Sequence, residues 1–356
     1  MNNDRIQEIL DLMEEARLDY FLISDPQSIA YCTGYYNDPH ERMFVFMISK
    51  HGNHTLFMND LFYLEHDLDG VNIVWHKDGQ DAIQTIVDEM HFPGRIGIDK
   101  NWASHFLLDL MKKLPDAKYI NASPCVDLVR MKKDLQEQVL MIESSKINDA
   151  VMEEIIPFIQ EGVSEKQLAK KLDELFFNHH STCYGAIVAF GKNAADPHHE
   201  NDDTPLRKGD CVLIDMGCVY KGYCSDMTRT FFYEGILEEE IKVYEIVKKA
   251  NEAAEAMIKP GVKLSDIDKC ARKVISDEGY GKYFTHRLGH FIGRDVHEYG
   301  DVSSVNEMEV EEGMIFSIEP GIYLEGNFGV RVEDLVMVTK DGCQVLNSFT
   351  KDIYII

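Results

Sequence analysis

None of the eight cysteines, Cys32, Cys125, Cys183, Cys211, Cys218, Cys224, Cys270 and Cys343, belongs to a C-x-x-C pair, which argues against a structural zinc site. No apolar run approaches the roughly 20 residues of a membrane-spanning helix. The first residues, Met1-Asn2-Asn3-Asp4-Arg5-Ile6-Gln7-Glu8, carry charges where a secretory signal needs an apolar core. Scattered thiols without such a signal predict a reducing compartment, hence a cytoplasmic protein. Basic residues are scarce. There are 36 Lys and Arg against 62 Asp and Glu, a formal charge of −26, and that field repels nucleic acid and anionic membranes. Low-complexity segments and short-period repeats are also lacking, which leaves linker-rich and solenoid architectures aside. What remains is an ordinary globular composition. Its 356 residues, 45% hydrophobic and 28% charged, suggest about two domains on a prior of roughly 100–200 residues each.

The first third alternates short helical patterns with short apolar strands. Ile6, Ile9, Leu10, Met13 and Ala16 fall at helical spacing, and residues 20–23 read as a strand. Residues 43–48 and 54–58 read as neighbouring strands around a Gly52-Asn53 turn. Further strands are expected at 71–75 and 95–98, with helices at 81–90 and 103–113. The pattern then changes. Long helices are expected at 134–160 and 164–179, the second opened by a Ser164/Gln167 capping box. Strands follow at 211–218 and 222–232, helices at 238–258 and 265–279 divided by Pro260-Gly261, and mostly strand from 314 to 355. The reading is an α/β domain over residues 1–124 and a larger α+β domain over 125–356.

The chemistry concentrates in the second part. Leu213-Ile214-Asp215 and Ser225-Asp226-Met227 flank a connection containing Gly222. A hairpin turning at Tyr220-Lys221 would put Asp215 and Asp226 opposite one another, with Cβ atoms about 4.5–5.5 Å apart. Two such carboxylates repel unless a cation lies between them, and an aspartate in an apolar strand is costly to bury unpaired. The pattern recurs where Glu319 and Glu333 flank a connection containing Gly326 and Gly329. Between the two pairs lie His286, His290 and His297, spaced by four and then seven residues among glycines. Four carboxylates with one imidazole form a hard, oxygen-rich donor set that favours Mn²⁺ over thiolate-type zinc. Two ions held about 3.5–4 Å apart can activate water and clamp both oxygens of a tetrahedral species.

These stretches resemble the metal ligands of the "pita-bread" metallopeptidases, the superfamily of methionine aminopeptidase, prolidase and aminopeptidase P. The match in type, order and spacing covers roughly residues 125–356, and the extra first domain is similar to that of prolidases and Xaa-Pro aminopeptidases. The resemblance implies an α/β first domain and an α+β pita-bread (creatinase/aminopeptidase-like) catalytic domain. It implies two divalent ions, Mn²⁺ with Co²⁺ or Zn²⁺ as alternatives, held by Asp215, Asp226, His290, Glu319 and Glu333. Glu319 would also shuttle a proton, while His198 and His297 polarise the scissile carbonyl. His286 would line a proline pocket, and Tyr184 and Arg331 would hold ligating carboxylates in place. Phe291 and Leu288 depart from the smaller or hydroxylated residues of many relatives, which bears on pocket shape.

Within that family, a dipeptidase must meet the free carboxylate of its substrate with a cation, and Arg294 is placed for it. The charged segment containing Asp38, His40 and Arg42 is similar to a loop of short bacterial prolidases that reaches toward the active site from a dimer partner. The expectation is therefore a homodimeric hydrolase of Xaa-Pro dipeptides, acting on small proline-containing peptides. The alternatives are an Xaa-Pro aminopeptidase taking longer peptides, and a non-peptidase on the creatinase scaffold.

Overall fold

Six short apolar segments of the first third line up as one mixed sheet. The computed structural model describes residues 1–91 and 93–356, and it divides into two units, Met1–Arg130 and Met131–Ile356. In the first unit β1 (Tyr20–Ile23), β2 (Val45–Ser49), β3 (His54–Asn59), β4 (Val71–His76), β5 (Arg95–Ile98) and β6 (Lys118–Asn121) form a sheet of order β4-β3-β2-β1-β5-β6. Pairing is antiparallel from β1 to β2 and β2 to β3, and parallel elsewhere. Strands β1, β2 and β3 are buried along their whole length, which is why they read as continuous apolar runs and not as alternating ones. Helix α1 (Asn3–Glu15) packs Ile6, Ile9 and Met13 into the core, and Asn2 caps it. Helix α2 (Pro26–Thr33) has Asp25 as N-cap, Pro26 in its first turn and Gly34 at φ +80° as C-cap. That is a full start-and-stop signal in sequence, though the sequence reading names no helix there. Helices α3 (Ala82–Glu89) and α4 (Ser104–Lys113) complete the layer with α5 (Pro124–Met131). The division falls at the end of α5 and not at 124, because Cys125, Val126 and Val129 bury themselves in the first unit's core.

The second unit opens with α6 (Leu135–Ile155), started by a capping box between Asp134 and Glu137. The regular helix ends short of the expected 160. Pro157 follows it within a single 3₁₀ turn, as a residue lacking its N–H requires. Helix α7 (Glu165–Asn178) begins at the Ser164/Gln167 capping box. Strands β7 (Thr182–Cys183), β8 (Ile187–Phe190), β9 (Cys211–Met216), β10 (Cys218–Tyr220), β11 (Tyr223–Cys224) and β12 (Met227–Phe232) form two three-stranded sheets, β12-β9-β8 and β11-β10-β7. Val151, Met152 and Ile155 of α6 and Leu168, Leu172 and Phe176 of α7 share one apolar core with Val188, Val212, Ile214, Met216 and Phe231 of the β12-β9-β8 sheet. Helices α8 (Glu238–Met257) and α9 (Leu264–Asp277) pair with each other. The remaining strands are β13 (Gly289–His290), β14 (Asp301–Val302), β15 (Ile315–Ile318), β16 (Gly321–Leu324), β17 (Phe328–Arg331), β18 (Asp334–Val338) and β19 (Cys343–Val345). They form a β13-β14 pair, a β15-β18-β19 sheet and a β16-β17 hairpin. No helix among the described residues is long and apolar enough to cross a membrane.

Candidate active site

Two hairpins carry the carboxylates, and their registers differ from one another in kind. In the first, Thr228 and not Asp226 stands opposite Asp215, and Met227 opposite Met216. The turn is centred on Lys221-Gly222, both at positive φ (+48° and +83°), one residue later than the sequence spacing suggested. A two-residue turn with both central residues left-handed wants glycine second, and a turn at Tyr220-Lys221 would have put a tyrosine first and a lysine in the glycine position. The slip is two residues in pairing, so Asp226 keeps its face and becomes the diagonal neighbour of Asp215. In the second hairpin, Ile318 pairs with Asp334 and Gly321 with Arg331. The same register puts Glu319 across from Glu333. The connection is Glu325-Gly326-Asn327, with Gly326 at φ +74°.

His290 joins them from β13. Its backbone N–H is donated to Ser317 Oγ at 3.0 Å, and Ser317 Oγ donates to Glu319 Oε1 at 3.0 Å. Its Nδ1 faces the Phe291 carbonyl at 3.2 Å, which assigns the ring proton to Nδ1 and turns the Nε2 lone pair toward the carboxylates. Nε2 lies 3.5 Å from Asp226 Oδ2 and 3.6 Å from Glu319 Oε1, too long for a strong hydrogen bond and suited to a shared cation. Asp226, His290 and Glu333 are buried, and their ligand atoms lie within 4.8 Å of one another, a group that could hold a metal ion.

The electrostatics ask for that ion. Burial, reinforced by Asp226, Glu319 and Asp215, pushes the Glu333 carboxyl well above its usual range. Burial pushes Glu319 up to about 7, although His290 and Arg331 pull it down. Asp215 is likewise raised by burial, against Arg331 and with Asp226. Burial lowers the His290 pKa, but Asp226 and Glu319 more than reverse it. Glu333, Glu319 and Asp215 thus all hold protons more tightly than free carboxyls do, a strain that bound cations would relieve. The donor set fits divalent ions.

A cavity of about 410 Å³ opens over this group, lined among others by Tyr184, Pro197, His198, His286, Arg287, His297 and Arg331 together with Asp215, Asp226, His290, Glu319 and Glu333. That volume suits a small ligand. Arg331 is buried and holds the site together. Its Nη2 donates to Asp215 Oδ2 at 2.6 Å, Nε to Thr228 Oγ1 at 3.0 Å and Nη1 to Tyr323 Oη at 3.0 Å. Thr228 Oγ1 in turn donates to Glu333 Oε2 at 2.6 Å. The Tyr184 hydroxyl does not reach a carboxylate. It donates to the carbonyl of Ser225 at 2.7 Å, one residue before Asp226. His297 stands with its ring centroid 4.2 Å from that of His290, and burial with the neighbouring cations brings its pKa down to about 4. His286 shares a 2.8 Å hydrogen bond with Tyr323 Oη, and burial, then Arg331, lowers its pKa to about 4.

The expected carboxylate-binding cation is placed differently. Arg294 does not line the cavity, and its guanidinium lies over the Tyr223 ring at 5.4 Å. Besides Arg331, which is committed to Asp215, the cavity is lined by a second guanidinium, that of Arg287, for which no role was expected from sequence, exposed and without an ion pair among the described residues. Its signal was position alone, next to His286 and three residues before His290. Leu288 and Phe291 are fully buried, the latter against Phe316. They belong to the core and do not shape the cavity wall. Asp38, His40 and Arg42 lie in the first unit, between α2 and β2, where Arg42 makes two 3.0 Å bonds to Asp78 and Asp38 faces His40 at 3.7 Å.

Comparison with known proteins gives concordant results. Residues 139–340 match the family described as metallopeptidase family M24, and residues 5–132 match the creatinase/prolidase N-terminal domain. An uncharacterised peptidase of Staphylococcus aureus is 34% identical over 355 residues, covering 98% of this chain and 99% of that one. The crystal structure of a dipeptidase from Pyrococcus horikoshii superposes with a TM-score of 0.92 at 35% identity, over 99% of this chain and 100% of that chain. An Xaa-Pro dipeptidase from Bacillus anthracis superposes with a TM-score of 0.92 at 29% identity, over 99% of both chains.

Proposed function

The chain belongs to metallopeptidase family M24, a peptidase with a creatinase-type first domain ahead of a pita-bread catalytic domain, and on that premise we propose that it is an Xaa-Pro dipeptidase. The observation that carries the reading is a single cavity. It combines four carboxylates and a histidine, of which Asp226, Glu333 and His290 are buried together, with the guanidinium of Arg287, which has no ion pair among the described residues. In this reading Asp215, Asp226, His290, Glu319 and Glu333 would hold two divalent ions. The oxygen-rich set favours Mn²⁺. Bound there, such ions supply Lewis acidity and make water a nucleophile at neutral pH.

The chain's own groups do the rest. Glu319, with Oε1 tied by Ser317, accepts the proton that the attacking water loses and returns it to the leaving proline nitrogen. His198 and His297 donate N–H groups to the scissile carbonyl oxygen as it gains charge. A His297 whose pKa is held near 4 does so as neutral imidazole. His286 packs against the proline ring with Tyr323 behind it. Arg287 takes the proline carboxylate, the role first expected of Arg294. Arg42 is committed to Asp78 within its own unit, so Asp38 and His40 are the members of that loop left to limit substrate length from a partner subunit in a homodimer. Eight unpaired thiols accord with a cytoplasmic setting.

Peptide length and charge test the reading together. With Mn²⁺ present, an Xaa-Pro dipeptide should be cleaved at least 10-fold faster than its Xaa-Pro amide or an Xaa-Pro tripeptide. Charge-assisted hydrogen bonds, worth about 1.5–3 kcal/mol, set that scale. Arg287→Met should slow the dipeptide by a similar factor and leave the amide unaffected. Equal rates on dipeptide and tripeptide would favour an Xaa-Pro aminopeptidase instead.

A further inference from the structure

The loop that delivers His198 to the cavity is organised from behind by a carboxylate that never reaches it. Glu165 is the first residue of α7 and is completely buried. Its Oε1 accepts from Phe190 N and Asn193 Nδ2, both at 2.9 Å, and its Oε2 from Asp202 N at 3.0 Å and His199 Nε2 at 2.7 Å. Those four donors come from the start, the middle and the end of residues 190–202. The same segment is tied from the opposite side by Arg331 Nη1, which donates to the Pro197 carbonyl at 3.4 Å. His198 sits between the two anchors. Its own N–H is donated to Asp196 Oδ1 at 3.0 Å, and its side chain lines the cavity with Pro197.

Glu165, His199 and Asp202 could also be drawn as a cation site on distances alone. The hydrogen bonds argue otherwise. A carboxylate offers about four lone-pair directions, and here four N–H donors occupy them. The group is complete without an ion.

We propose that Glu165 and His199 are positioning residues for His198. The 2.7 Å bond from His199 Nε2 turns that ring away from the cavity and so fixes the adjoining His198 ring toward it. A one-residue exchange of roles between two adjacent histidines is otherwise a low-cost rearrangement of a short loop. This inference rests on the reading of His198 as a substrate-side group, and it is tested in a form that separates the two.

In the Mn²⁺-loaded enzyme, with kcat and KM measured on an Xaa-Pro dipeptide, His199→Ala should lower kcat by roughly 10–100-fold, the scale of an ångström-level misplacement. Bound metal and melting temperature should stay close to wild type. Trypsin should cut at Lys192 faster in that variant, reporting a loosened loop without reference to activity. His199→Gln, which returns an N–H donor to the same place, should recover kcat to within about 3-fold, since the hydrogen bond to Glu165 is restored. In a His198→Ala background, adding His199→Ala should cost little more. Wild-type kcat in His199→Ala, no recovery in His199→Gln, or equal losses from His199→Ala in both backgrounds would each overturn the positioning role while leaving that of His198 intact. A His198→Ala enzyme with wild-type kcat would overturn both.

Discussion

At the scale of single residues, one buried cation ties the carboxylates of the site to their surroundings. Arg331 spreads three donor groups over Asp215, Thr228 and Tyr323, and Thr228 passes the constraint to Glu333. A lysine offers a point charge with no planar fork, so Arg331→Lys can satisfy one of these and not all. Loss of an outer partner of a metal ligand typically costs 10–100-fold in affinity or activity. A Mn²⁺ titration of Arg331→Lys should show a weakening of that order, and wild-type affinity would argue that Asp215 is held by its strand alone. The sequence pointed to Arg331 as such a partner but expected the same of Tyr184, whose hydroxyl goes to a backbone carbonyl instead. Hydrogen-bond partners of this kind lie dozens of residues apart in the chain and leave no local signature.

His286 gives a prediction about acidity. Its imidazole is held neutral in the fold, with a pKa of about 4 against an ordinary 6.5. Between these values the unfolded chain binds a proton that the folded chain refuses. The contribution of His286 is therefore fully present above pH 6.5 and drains away as the pH falls toward 4. Urea unfolding midpoints followed from pH 7 to pH 4 should fall more steeply for the wild type than for His286→Gln, which can keep the bond to Tyr323 without titrating. Parallel curves would show that His286 is solvated enough to protonate freely.

Among the elements, the decisive feature is how closely strands approach behind the ligands. Gly217 lies at the break between β9 and β10. A Cβ there would stand 1.9 Å from Tyr184 Oη and 2.0 Å from the Ser225 carbonyl oxygen. Gly217→Ala should therefore force apart the two arms carrying Asp215 and Asp226, destabilising the unit by about 1–3 kcal/mol or more and loosening metal binding with it. Chemical denaturation would measure the first effect. Tyr184→Phe should not rescue the variant, because the backbone carbonyl stays in place, and recovery in the double mutant would mean that the hydroxyl was the only obstacle. Sequence periodicity located both hairpins, since apolar flanks around a lone acidic residue are a local signal. It missed the register of the first because it weighed the symmetry of Asp215 and Asp226 above the left-handed backbone that favours Gly222 in the second turn position.

For the whole molecule, the sequence made the two-part organisation legible, and with it the acidic and histidine residues that gather at the cavity, and hid the fastening of the C-terminal segment. Arg229, buried in β12, donates to the carbonyls of Glu333, Phe349 and Thr350 and to Asp334 Oδ1, at 2.6, 2.8, 3.0 and 2.7 Å. Lys351 lies 2.8 Å from Asp334 Oδ2 and from Glu255 Oε2, and donates to Asn251 Oδ1 at 2.8 Å. The last residues thus clamp helix α8 to the strand that follows Glu333, through partners about 100 positions apart in the chain. Burial outweighs its neighbours and lifts Glu255 to about 7, whereas Arg229 and Lys351 together overcome burial and keep Asp334 below its usual value. Lys351→Met leaves both carboxylates short of a partner. Breaking a buried pair costs about 3–5 kcal/mol, and the lower end applies because Glu255 can protonate while Asp334 keeps Arg229. The escape by protonation closes as the pH rises, so the stability deficit of Lys351→Met should be larger at pH 9 than at pH 5. Equal deficits at the two pH values would place the effect in lost packing of the lysine stem, with no part played by charge.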